Sequence, residues 1–211
     1  MESIVAITGI LFACLMGSIS PGPSFLLVAR ISISESRRNG IAAAAGMGIG
    51  GTMLSILALL GLKALFASFP IFYSGIKMLG GIYLVYIGIQ IWRGAKETIY
   101  VQSDNAAKKN TAWRAFFTAL FTQLSNPKAV VFYGSIFAAL LPQTVSQMLT
   151  IILPVCVLLI ETGWYCIVAL VLSATGPRSV YLRTKVWIDR VAGGVMGLLG
   201  LKLVTSSDII G

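Results

Sequence analysis

Long stretches without a single ionised side chain constrain this chain more than any other feature. Ser3 to Ala29 carry no charge, nor do Asn39 to Leu62, and Ala129 to Ile160 form a third such run. About 18 uncharged apolar residues in a row already make a helix able to cross a bilayer core of about 30 Å. A buried helix of a water-soluble protein accounts for one such run, not for three. Charged residues make up 11% of the chain, against roughly 25% in soluble domains. An all-α integral membrane protein is expected, one transmembrane domain over residues 1–211 with the lipid bilayer as its surroundings.

Six spans follow from the hydropathy pattern: Ile4–Ala29, Gly40–Leu62, Ile71–Trp92, Ala115–Leu141, Met148–Ser173 and Ile188–Ser206. Of the 16 Lys and Arg residues, 12 fall in or beside the first, third and fifth loops: Arg30, Arg37, Arg38, Arg93, Lys96, Lys108, Lys109, Arg114, Arg178, Arg183, Lys185 and Arg190. Positive loops stay in the cytoplasm, so both termini are expected outside. Trp92, Trp113 and Trp187 lie at the cytoplasmic ends of spans, where an aromatic belt belongs. The same bias explains the net charge of +9 without a nucleic-acid partner. No basic residue precedes the first apolar run, which is too long for a cleavable signal. Cys14, Cys156 and Cys166 form no CxxC pair, and the absence of histidine removes the commonest zinc ligand and the usual neutral-pH proton relay.

Two spans are interrupted. The first contains SISPGPSFLL and the fourth QLSNPKAVVF, each with a proline followed by an apolar run. Each span opens a three-span half, repeat 1 over about 1–92 and repeat 2 over about 115–211, joined by a cytoplasmic loop over about 93–114. An odd number of spans separates span one from span four, so the halves cross in opposite senses. Breaks at matched positions of such an inverted-topology repeat mark a substrate site near the midplane. Proline stops a helix and restarts one at its first position. Asn126 is suited to cap the helix begun by Pro127, and Gly22 the one begun by Pro23. Each restarted half-helix offers free N–H groups and a positive dipole end, a setting for an anion. A half-helix end contributes about 0.3–1 kcal/mol at a surface, too little to offset desolvation of a carboxylate. Lys128 supplies further charge. Pro21, Gly22, Pro23, Ser24, Asn126, Pro127 and Lys128 are therefore substrate-binding candidates. A kink that only shapes packing is the alternative.

Glu161 stands at the centre of span five, where a charge costs about 2.5–3.5 kcal/mol. It is the candidate for carrying a proton or meeting a substrate amine; a structural partnership with Lys128 or a backbone donor is the alternative. Trp164 and Tyr165 follow at helical spacing and are candidates for the same cavity. Gly46 and Gly50 in span two, like Gly193 and Gly197 in span six, have the GxxxG spacing that lets helices pack closely.

With those residues placed, SISPGPSFLLVA, SRRNGIAAAAGMGIG, IKMLGGIYLVYIGIQIW, LSNPKAVVFYGSIFAALLP and DRVAGGVMGLLGLKL occur in order along most of the chain. In this the chain resembles the bacterial lysine exporter (LysE-type) family, especially its homoserine/threonine (RhtB-like) efflux branch. The resemblance implies a secondary carrier of the bacterial inner membrane, not an enzyme. It would export amino acids or close analogues, driven by protons and without cofactor or metal. The motif positions that carry over are Pro21, Gly22, Pro23, Asn126, Pro127 and Lys128; Glu161 rests on the physical argument. The amino acid and a homo-oligomeric state stay open. The alternatives are a membrane thiol–disulfide electron carrier, for which no neighbouring cysteine pair is assured, and export of a metal ion or other small solute, for which midplane acids are too few.

Overall fold

The computed structural model describes residues 2–20, 22–96 and 111–205; Pro21, Lys108 and Lys109 lie outside them. The described residues form helices: α1 (Glu2–Ile19), α2 (Pro23–Ser34), α3 (Arg37–Ser68), α4 (Tyr73–Gly94), α5 (Ala112–Leu124), α6 (Pro127–Leu140), α7 (Gln147–Leu172) and α8 (Thr175–Thr205), with a 3₁₀ turn at Pro70–Phe72. By length and apolarity, Arg37–Ser68, Pro70–Gly94 and Gln147–Leu172 are able to cross a membrane. Ile7–Ile19 and Pro23–Ser34, bent by 54° at their break, make a fourth span if taken together, and Pro127–Leu140 is a shorter apolar helix. Large apolar side chains face outward, among them Leu57, Leu79, Leu159 and Leu198. In water such a surface would aggregate; in lipid it is the solvated face.

Both expected breaks are present. α1 stops at Ile19 and α2 starts at Pro23, with Gly22 in extended conformation as its N-cap. α5 stops at Leu124 and α6 starts at Pro127, with Asn126 as its N-cap. The sixth expected span departs from its bounds. A loop was expected up to Trp187, yet α8 runs without interruption from Thr175. Pro177 sits in its first turn, where a missing N–H costs nothing. Lys185 and Asp189 then pair across one turn at 2.7 Å, a contact that helical spacing brings together. The charges Asp189, Arg190 and Lys202 are what keep α8 from the apolarity of a clear span.

Glycines set the helix contacts. A Cβ on Gly80 would lie 2.6 Å from Ser135 O, and one on Gly88 2.6 Å from Gly193 O. α4 therefore touches α6 and α8 backbone to backbone. Without a hydrophobic drive between helices in lipid, such close approach is the main source of association. Gly46 and Gly50 of α3 likewise abut α5, at Phe116 O and Gln123 Cβ.

The buried apolar side chains form two clusters. One gathers Ile10, Leu84, Phe132, Phe137, Leu153 and Met196, from α1, α4, α6, α7 and α8. The other gathers Phe25, Val28, Met47, Ala119, Tyr165 and Val168, from α2, α3, α5 and α7. The two breaks lie on the seam between them. The chain crosses it from first cluster to second between α1 and α2, and from second to first between α5 and α6.

Candidate functional site

A cavity of about 30 Å³ opens at this seam, lined from the first break by Gly17, Ser18, Ser20, Gly22, Ser24 and Phe25 and from the second by Gln123, Asn126, Lys128, Ala129, Phe132 and Tyr133. Glu161 and Tyr165 of α7 complete its wall. About 10–15 Å³ holds one water, so the space fits two waters or so and is smaller than any amino acid. A substrate needs the seam to widen.

The two breaks are tied to each other through polar side chains. The Asn126 side chain accepts from the Lys128 backbone N–H at 3.0 Å, capping α6, and its Nδ2 donates to Ser24 Oγ at 2.9 Å. Ser24 Oγ donates to Gln123 Oε1. The cap of one half-helix thus holds the first turn of the other. The Lys128 ammonium crosses the same gap to Ser20 Oγ at 2.8 Å. A Cβ on Gly22 would sit 3.4 Å from Lys128 Nζ, so the ammonium lies against the start of α2. Lys128 and the N-termini of α2 and α6 form one electropositive end.

Glu161, 4% exposed, forms the opposite end. Tyr133 Oη donates to its Oε1 at 2.8 Å and Gln123 Nε2 to its Oε2 at 3.1 Å. Ser18 Oγ lies 3.1 Å from Oε1 and 2.9 Å from Cys14 O, sharing one proton between the two. Tyr133 and Gln123 donate to this carboxyl group, and Ser18 can either donate to it or accept from it, so its ionised and its protonated form both find partners. A Cβ on Gly51 would lie 2.9 Å from Glu161 Oε2, and one on Gly48 would strike Thr162. The glycine run of α3 therefore closes directly over the carboxylate. Glu161 and Lys128 make no ion pair with each other: the carboxylate takes Tyr133, Gln123 and Ser18, the ammonium Ser20. The arrangement holds a positive and a negative group apart in one small cavity, complementary to a zwitterion.

Of the residues singled out from sequence, Gly22, Ser24, Asn126, Lys128, Glu161 and Tyr165 come together here. Pro23 and Pro127 are exposed on the far side of their helices, acting through the break rather than by contact. Trp164 packs against the second apolar cluster and does not line the cavity. Gln123, Tyr133, Ser18 and Ser20 were not singled out. Gln123 had a signal, an amide inside the apolar run AFFTALFTQL.

The LysE type translocator family matches residues 15–207. An uncharacterized membrane protein of Haemophilus influenzae is 32% identical over 90% of this chain and 91% of its own length. A threonine efflux protein of Salmonella typhi is 30% identical over 89% and 91%, and one of Escherichia coli K12 29% identical over the same shares. No solved structure matches the chain.

Proposed function

Because the chain belongs to the LysE type translocator family, we propose that it exports threonine or a closely related amino acid across the bacterial inner membrane in exchange for protons. It is a transporter, not an enzyme. The observation that carries the reading is the cavity at the seam, with Lys128 and two helix N-termini at one end and Glu161 at the other. The substrate carboxylate sits against Lys128, and its amine faces Glu161 and the unwound carbonyls. Glu161 carries the coupling proton: taking one up turns an acceptor into a donor, and Ser18 Oγ, free to donate to Cys14 O instead, is placed to accept from it. The threonine efflux proteins among the relatives support the substrate class.

Six spans in two inverted halves are part of this proposal. The opposite order in which the chain crosses the seam at its two breaks supports it, as does the matched capping by Gly22 and Asn126. One half rocks against the other, opening the seam to each side in turn. The basic loops lie in the cytoplasm and both termini outside. Counterflow of labelled threonine in proteoliposomes, with and without an imposed pH gradient, tests the function. Saturable exchange enhanced by the gradient is expected; no exchange of any amino acid by folded protein would sink it.

A further inference from the structure

Outside the cavity, one buried charged cluster has no part in the function described so far. Lys185 and Asp189 of α8 are 4% and 0% exposed and paired at 2.7 Å. Lys185 Nζ also donates to Ala95 O at 3.1 Å, at the end of α4 where the long basic loop begins. The pair therefore lies on the basic-loop side of the molecule. Asp189 Oδ1, however, is buried with no hydrogen-bond partner among the described residues, and so is Tyr181 Oη two turns before it. An ion pair kept only for packing would satisfy both carboxylate oxygens, because an orphaned buried acceptor carries a desolvation penalty.

The helix that carries the pair reaches the cavity through one aromatic contact. Tyr181, on the same helix and with its hydroxyl buried and unpartnered among the described residues, stacks its ring on cavity-lining Phe25 with centroids 5.7 Å apart. Phe25 and Tyr181 thus stand between the cavity and the basic-loop side. The free Asp189 oxygen on α8 and the Lys128 ammonium in the cavity offer one acceptor and one cation, the two partners that a zwitterion needs. We propose that Asp189 is an entry station for the ammonium group of the substrate, met from the cytoplasmic side before the amino acid settles between Lys128 and Glu161. Lys128 draws the carboxylate, Asp189 Oδ1 accepts from the ammonium, and parting of Phe25 from Tyr181 admits the molecule. This rests on the export reading above.

The test measures the half-saturating threonine concentration from each face, in inverted and in right-side-out membrane vesicles. Asp189→Asn is expected to raise it at least about 10-fold from the cytoplasmic face, the loss of one hydrogen bond to a charged group, and to leave the other face within about twofold. Lys185→Gln keeps the carboxylate and removes its neutralising partner, so it is expected to leave the cytoplasmic value unchanged or lower. Lys185→Gln with Asp189→Asn removes the pair without stranding a charge and is expected to behave as Asp189→Asn alone. An equal rise from both faces, or a Lys185→Gln effect as large as that of Asp189→Asn, assigns the pair to structure and overturns the proposal. A double variant that fails to fold does the same. No saturable transport by the wild-type protein would overturn the export reading itself, a different result.

Discussion

Replacing Glu161 separates what this carboxyl group does for folding from what it does for transport. Glu161→Gln keeps the shape and one acceptor oxygen. That oxygen still serves Tyr133 and Ser18, both of which meet Oε1, but the new amide nitrogen then faces Gln123 Nε2, donor to donor. Turning the Gln123 amide over is opposed by Ser24, which donates to its oxygen and is itself held by Asn126. One unsatisfied contact of this kind costs about 1–3 kcal/mol, partly offset because a buried charge disappears. Glu161→Ala leaves both the Tyr133 hydroxyl and the Gln123 amide without an acceptor, about 2–6 kcal/mol by the same measure. Thermal unfolding in detergent should therefore rank wild type, then Gln, then Ala. In proteoliposomes the Gln variant should still exchange labelled threonine while its gradient-driven accumulation collapses, because it takes up no proton. Gradient-driven accumulation equal to wild type in folded Glu161→Gln would refute the assignment.

Three further changes probe the frame around the site. Lys128→Ala should abolish transport while the protein still inserts and folds; normal counterflow would remove Lys128 from the site. Asn126→Ala deletes the α6 cap, about 1 kcal/mol, and the tie to Ser24, so its unfolding midpoint should fall while Asn126→Asp, which keeps the capping acceptor, falls less. Gly88→Ala puts a methyl group against Gly193 O in α8 and should destabilise by about 1–3 kcal/mol, whereas Gly61→Ala, with nothing within 4 Å of its Cβ, should be neutral or slightly stabilising. Equal effects of the two glycine variants would contradict the close α4–α8 packing.

The breaks were legible because proline and a capping residue act locally: Gly22–Pro23 and Asn126–Pro127 need only their own neighbours to stop and restart a helix. Lys128 and Glu161 stood out because a charge in an apolar run needs a reason. Tyr133, Ser18 and Ser20 did not, since aromatic and small hydroxyl residues are common in membrane helices and only the meeting of α1, α6 and α7 gives them a partner. Trp164 and Tyr165 show the limit of helical spacing. Both neighbour Glu161 at 3.6 residues per turn but on opposite flanks, and only the Tyr165 flank meets the seam. The early start of α8 was hidden for a similar reason. Its charges read as a loop until Lys185 and Asp189 are seen buried against Ala95.

The most direct test places a cysteine at Ser20, beside Lys128, in a chain whose Cys14, Cys156 and Cys166 have been replaced, and follows its reaction with a small thiol reagent during transport. If the cavity between the breaks is the substrate site, threonine will slow the reaction at the concentrations that saturate transport. A reaction rate indifferent to threonine, in a variant that still transports it, would place the substrate elsewhere.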